Sequence, residues 1–389
     1  MIVAVAVTTL GVFCVALITQ LFGYRTGGTI VIPVLAVYTL KNVLMLPIFL
    51  FSTVIAYLGL SIAKQRTLIY GRDELLLAMA LGSGIPLIIL IVLGAFISEA
   101  LRTVVFIGSI LPGLAAYNYH QVKPEFRTRD LLTTSLLFIG LILLGWVLIT
   151  PGLSRSIGTL APPVLYTTTA DVAVFKSASV SVELRPGILS RPVAVTLFLI
   201  GILLSERIRG RYGVRTGLMA MALLAIYALV NAWLIGLYLL VIVVAYAGLK
   251  TVHYGTLLYG RVLIAVSVVT ALLVVVPLVL ALPIQRGLSA YFVAILAGVN
   301  AYSWHVTAPR KRVLFFPLQI GAFLILLMVT QVGQLIEPTV APALFGLPGF
   351  FACAVVVVVC AAFVEWRTVD LPDQERIFEA SILSGGGDA

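Results

Sequence analysis

A chain of 389 residues that is 61% hydrophobic and only 10% charged, with a mean hydropathy of +1.16, cannot be a set of soluble domains. Its net charge of +10 is spread over short loops between apolar runs rather than gathered on one face, which argues against a nucleic-acid partner. Cys14, Cys353 and Cys360 all fall inside apolar runs without paired spacing, so neither a disulfide nor a metal centre is expected.

The fold class that remains is an all-α polytopic membrane protein. Lipid offers no partner to backbone N–H and C=O groups, and these runs lack the alternation of barrel strands, so they must be helices. In chain order the segments fall at 3–22, 28–40, 43–62, 75–97, 103–118 and 131–150, then 192–205, 216–232, 234–249, 262–283, 288–304 and 313–335, with a last at 339–364. The first has no basic residues ahead of it and no small-x-small cleavage site, so it is read as a retained helix. Pro33 and Pro112 are expected to interrupt two of the shorter segments, some of which are read as re-entrant. Between the two sets of six, residues 154–191 carry Pro162-Pro163, a Thr run and the alternation Val180 to Leu184, which predicts a loop with a strand or two. Placing the N-terminus outside puts most of the Lys and Arg residues in cytoplasmic connections, as the positive-inside rule requires, and leaves a polar cytoplasmic C-terminal tail.

Four patches recur in one order. Arg25-Thr26-Gly27 returns as Arg215-Thr216-Gly217 at an offset of 190, and Tyr38 with Asn42 returns as Tyr227 with Asn231 at 189. Tyr70-Gly71-Arg72 returns as Tyr259-Gly260-Arg261, also at 189. Pro112-Gly113 with Tyr117 and His120 is echoed by Ala297-Gly298 with Tyr302 and His305, at 185. Ordered matches with drifting offsets are what duplication followed by small deletions leaves. The resulting plan is a first membrane repeat at 1–153, an extracytoplasmic loop at 154–191, a second repeat at 192–335, a terminal transmembrane helix at 336–366 and a tail at 367–389. Six segments per repeat make the two copies parallel.

An arginine beside glycine at a helix entrance suits a carboxylate or phosphate ligand, because the guanidinium reaches the anion and glycine lets backbone approach. The competing reading is structural: arginines anchor helix ends among headgroups and glycines let helices pack. Asn42 and Asn231 are expected to bond neighbouring helices, the histidines to belong to interfacial aromatic belts, and Glu99 with Arg102 to form a local ion pair. No nucleotide loop, nucleophile elbow or zinc motif is present in the sequence, so no catalytic residue and no cofactor is assigned.

Arg25-Thr26-Gly27 followed by Ile32-Pro33, then Leu68-Ile69-Tyr70-Gly71-Arg72, then Ile110-Leu111-Pro112-Gly113-Leu114 resemble the PgsC/CapC membrane subunit of poly-γ-glutamate synthesis, here in tandem. A seven-helix region attached to inactive transglutaminase-like domains shares part of the pattern. The resemblance implies a membrane subunit of a capsule-polymer synthase and export complex. It would work with a Mur-ligase-like, ATP-dependent amide ligase in the cytoplasm and with an anionic poly-γ-glutamate chain. The substrate-binding set is then Arg25, Thr26, Gly27, Tyr70, Gly71, Arg72, Pro112, Gly113, Arg215, Thr216, Gly217, Tyr259, Gly260, Arg261 and Gly298. The first copy alone keeps both prolines, which favours Arg72 over Arg261. The alternative is a secondary transporter for a small anion, consistent with parallel repeats and interrupted helices.

Overall fold

The computed structural model describes residues 1–69, 71, 73–84, 110–181, 191–214, 216, 231–336 and 346–369. In chain order the helices are α1 (Ile2–Phe22), α2 (Val31–Lys41), α3 (Met45–Arg66), α4 (73–84), α5 (Ile110–His120) and α6 (Arg127–Leu148). Two short helices follow, α7 (Pro151–Ile157) and α8 (Asp171–Phe175). Then come α9 (Arg191–Tyr212), α10 (Trp233–Thr256), α11 (Arg261–Ala281), α12 (Gly287–Val306), α13 (Phe315–Ile336) and α14 (Leu347–Val369). Seven of the described helices, two of them lengthened by a preceding 3-10 turn, are long and apolar enough to cross a bilayer. Their outward faces are apolar as well: Phe13, Leu50, Leu143, Leu203, Val243 and Val358 are all exposed, as a lipid-facing surface requires. The chain is therefore an all-α, multi-pass membrane protein. Most of the segment expected at 216–232, parts of those at 75–97, 103–118 and 339–364, and the Glu99 and Arg102 pair lie outside the described residues.

The segment expected at 28–40 does not span on its own. α2 has 11 residues, and a helix of that length rises only about 16 Å against a hydrocarbon core of about 30 Å. Every residue from Val31 to Lys41 is buried. Pro33 sits in its first turn, where a missing N–H costs nothing, so it starts a helix rather than interrupting one. Gly11, midway along α1, makes room for it: a Cβ there would lie 2.8 Å from the Pro33 ring. The first turn of α2 thus stands near the middle of the bundle, while Leu40 in its last turn fills the space over Gly145, near the end of α6.

Where it is described, the connection after α6 is a packed cap. Among the described residues the extended pairing is limited to a single bridge between Thr167 and Ser181; Val182 to Leu184 lie outside them. Ile149, Val164, Leu165, Tyr166 and Ala170 are buried in the main core, and the Tyr166 hydroxyl donates to the Leu148 carbonyl at 2.8 Å. Enough apolar surface is buried to hold the segment by packing, which an isolated hairpin cannot do.

Contacts recur at the sequence offsets. Gly23 and Gly213 end α1 and α9 in the left-handed region, φ 70° and 65°, each donating its N–H to the carbonyl four residues back. Gly71 and Gly260 precede α4 and α11 at φ 65° and 64°. The side-chain oxygens of Asn42 and Asn231 accept the N–H two residues on, at 2.9 and 3.0 Å, and so cap α3 and α10. Capping their own chain, rather than bonding between spanning helices, is the role of both; Asn231 adds a bond to the Pro283 carbonyl in a connecting turn. Arg127 and Arg312 each donate through Nε to the carbonyl five residues earlier and through Nη1 to a tyrosine hydroxyl, Tyr57 or Tyr246, at 3.4 Å in both cases. Ala56, Leu60, Ala78 and Ala116 cluster where α3, α4 and α5 meet. Ala245, Leu249, Ser267 and Ala301, at the corresponding positions in α10, α11 and α12, are equally buried.

The first helix of each set packs on its own neighbours and also reaches into the other half. α1 lies against α2 and α6 and runs along α11; α9 lies against α13 and meets α4 through Ile202 and Leu199 on Met79, Leu75 and Leu76. The leading helices therefore join the two halves. The polar ends sort into two layers. Arg25, Lys64, Glu74, Arg127, Arg211, Arg261, Arg312 and Glu365 lie at one end of the bundle, joined by contacts such as Arg25 with Asp130, Lys64 with Glu74 and Tyr212 with Glu365. Asp171, Lys176 and Arg286 lie at the other, where Asp171 accepts the Val43 N–H.

Candidate functional site

The loop between α1 and α2 is folded tightly against the start of α6. Thr26, Gly27 and Gly28 all have positive φ, at 44°, 65° and 116°. A threonine in that region is strained by roughly 1–2 kcal/mol, so something must hold it. Asp130 does: one carboxylate oxygen accepts the Arg25 N–H at 2.7 Å and the Thr26 N–H at 2.9 Å. Asp130 is only 2% exposed and stands in the first turn of α6, where the helix dipole favours its charge. Gly28 N–H closes the turn onto the Arg25 carbonyl at 2.9 Å.

Asn118, in the last turn of α5, reads this loop from the other side. Its amide nitrogen donates to the Gly27 carbonyl at 3.2 Å and to the Leu114 carbonyl at 2.8 Å. A Cβ on Gly28 would sit 2.6 Å from that nitrogen, so the approach requires glycine. Asn118 Oδ1 accepts from Arg261 Nη2 at 3.0 Å. Arg261 opens α11, in the second half of the chain, and lies close enough to Arg25 for the two positive charges to repel. A cation is ordinarily disfavoured at a helix N-terminus, so its place there is not explained by helix stability. Its Nη1 is buried and has no hydrogen-bond partner, and neither has the Thr26 hydroxyl, on a residue with no exposed surface.

Of the residues expected to bind substrate, this junction unites Arg25, Thr26, Gly27 and Arg261. Tyr70, Arg72, Arg215 and Gly217 lie outside the described residues. Gly71 and Gly260 have open space where a Cβ would go, and their positive φ serves the turn ahead of each helix. Gly113 and Gly298 do serve close approach, but between helices: a Cβ on Gly113 would lie 2.2 Å from the Ala78 carbonyl oxygen, and one on Gly298 2.8 Å from Val268 Cα. Pro112 sits in the same helix as Gly113, away from the loop. Tyr259 is exposed and meets the His253 ring edge-on at 5.4 Å. Thr216 is buried, its carbonyl accepting from Gln319 at 2.7 Å, its hydroxyl without a partner.

Asn118, Asp130 and Gly28 are functional candidates that the motif comparison passes over. Asp130 was legible as the lone acid in the basic run Arg127-Thr128-Arg129-Asp130; Asn118 carried no signal between its tyrosines. The histidines behave as aromatic packing residues, His120 stacked on Tyr57 at 4.3 Å and bonded to Ser61, and His305 beside His253 at 5.0 Å. Glu74, 1% exposed, is tied to Lys64 at 3.1 Å and Gln121 at 2.9 Å just beyond Gly71. At the positions matching Glu74 and Asp130 the second half carries Leu263 and Phe315, so the two halves differ in buried charge.

No curated protein and no solved structure matches this chain. Residues 10–128, which carry the loop, Asn118 and the Tyr-Gly-Arg stretch, match the family described as capsule biosynthesis CapC. The match ends two residues before Asp130 and includes every other first-half residue of the junction. Over that stretch, about the first third of its length, this multi-pass membrane protein is similar to the capsule biosynthesis CapC family.

Proposed function

We propose that the chain is the membrane subunit of a poly-γ-glutamate synthase and export assembly, built from two copies of one CapC-like unit. Its partner is a cytoplasmic, Mur-ligase-like amide ligase that supplies the ATP chemistry. The observation that carries this reading is the bond from Arg261 to Asn118, which places Arg261 against the Arg25 loop inside the CapC-matched stretch. A polymer with one carboxylate per unit needs cationic and polar groups where it meets the membrane. The recurring caps, glycine turns and arginine–tyrosine contacts support two copies, and the gathering of most basic residues at one end supports a cytoplasmic placement for that end. With that orientation the N-terminus is outside and the C-terminus inside.

The test is polymer at the cell surface when the chain and its ligase are expressed together, compared with Arg25→Gln and Arg261→Gln variants present at normal levels. Loss of surface polymer is expected. Unchanged polymer in both variants would remove the junction from the function.

A secondary transporter for a small anion is the second reading, favoured by α2, whose half-length and mid-bundle start resemble the discontinuous helices of transporters. Uptake of glutamate into proteoliposomes lacking any ligase would select it.

A further inference from the structure

We propose that the junction is a composite site for a single carboxylate ion, held by Arg25 and Arg261 with the Thr26 hydroxyl, so that the two halves of the chain bind it only together. The inference rests on the reading of this junction as the functional site and adds the ligand's class and stoichiometry.

The charges decide the class. Asn118 ties Arg261 to the loop that carries Arg25, so two positive charges fall near one another, and among the described residues of the junction the negative charge of Asp130, against the Arg25 amide, opposes them. Asp130 spends one oxygen on the Arg25 and Thr26 amides, at 2.7 and 2.9 Å. One positive charge is left over, which a monoanion neutralises and a dianion such as phosphate overshoots beside Asp130. The donors decide the rest. Arg261 meets only a neutral amide oxygen, through Nη2, while Nη1 is buried without an acceptor. Buried guanidinium N–H groups are normally satisfied, and a planar carboxylate is the geometry they match best. Thr26, with no exposed surface, offers a second unmatched hydroxyl in the loop that Asn118 ties to Arg261. Both partners are pre-set, Arg261 by Asn118 and the loop by Asp130, so binding orders little that is not already ordered.

The full chain in phosphatidylcholine nanodiscs is titrated with L-glutamate, with γ-glutamyl oligomers and with inorganic phosphate, following the ligand-induced rise in melting temperature and the Kd. A second set of discs containing phosphatidylserine asks whether a lipid carboxylate occupies the site, in which case added glutamate competes poorly. Saturable carboxylate binding, with phosphate ineffective, is expected, and Arg261→Gln weakens it by about tenfold or more. Arg155→Gln, at the other end of the bundle, leaves it unchanged. Asn118→Asp places a carboxylate against Arg261 within the protein, at the cost of the two bonds that the amide nitrogen donates, and is expected to lose carboxylate binding; Arg261→Lys, which keeps the charge without the planar fork, is expected to weaken binding and covers the case in which Arg261→Gln fails to fold. Absence of carboxylate binding in both disc types, or binding indifferent to Arg261→Gln and Asn118→Asp, overturns the proposal. If surface polymer falls in Arg261→Gln while carboxylate affinity holds, the composite site fails and the synthase reading stands. Carboxylate binding in a protein whose assembly makes no polymer does the reverse.

Discussion

Thr8 and Tyr291 share a buried hydrogen bond of 2.5 Å across 283 residues of chain, fastening α1 to α12 and so one half of the molecule to the other. In a membrane such bonds are worth roughly 0.6–1.7 kcal/mol, since the separated helices find other partners. Tyr291→Phe and Thr8→Val are each expected to lower stability by about that much, and the double variant by less than their sum. A double-mutant cycle on detergent unfolding measures the coupling; strict additivity would mean that the bond holds nothing.

The glycines separate into two kinds with different expected costs. Gly260→Ala and Gly71→Ala meet open space and lose only the backbone preference, about 1–3 kcal/mol. Gly113→Ala and Gly298→Ala drive a methyl into the backbone of the facing helix, and helices packed that closely must separate. Melting temperatures should fall slightly for the first pair and steeply for the second, with poor yield of folded protein.

Arg127 and Arg312 fix the turns ahead of α6 and α13 through a guanidinium fork that lysine cannot reproduce. Arg312 has one bond more, from Nη2 to the His305 carbonyl at 2.7 Å. Arg312→Lys should therefore destabilise more than Arg127→Lys, by about 1 kcal/mol for the additional bond. Equal losses in parallel unfolding titrations would show that the extra bond contributes nothing.

Asp130→Asn keeps the size of the side chain but removes the charge that holds two backbone amides and opposes two arginines. Bonds to a charged acceptor are worth about 1.5–3 kcal/mol, so the loop from Arg25 to Gly28 should loosen. Hydrogen exchange at the Arg25 and Thr26 amides is the direct readout, with faster exchange there and little change in α10. Protection equal to wild type would remove Asp130 from the role of holding that loop.

The helical class was legible because lipid leaves the backbone few alternatives, and the patch offsets pointed to contacts that do recur in Gly23 with Gly213 and Tyr57 with Tyr246. The junction was half legible. Arg25 and Arg261 announce themselves beside glycine, but the patch comparison pairs Arg25 with Arg215 and Arg72 with Arg261, each residue with its own counterpart. The link that matters runs from Arg261 through Asn118 to the loop that carries Arg25, one arginine from each pair, and only the crossing of helices brings them together. Asn118 stayed hidden because an amide in an apolar helix looks the same whether it bonds a neighbour or a ligand. The half-length of α2 was hidden for a related reason: hydropathy reports what a segment can be buried in, not how far into the bundle the chain has already descended.

The packing of α1 on α11 and of α9 on α4 has a kinetic side. Were the chain divided after α6, each part would have to meet the other in the plane of the membrane before those faces were covered, and the yield would follow concentration. Joined through the packed segment after α6, the two units find each other at the effective concentration of a short tether, and closure becomes first order. The same tether makes the partnership permanent, so the two halves need not carry the same buried charge: one holds Glu74 and Asp130, the other Leu263 and Phe315 at the matching offsets, and a single mixed junction forms where a symmetric pair of separate chains would impose two.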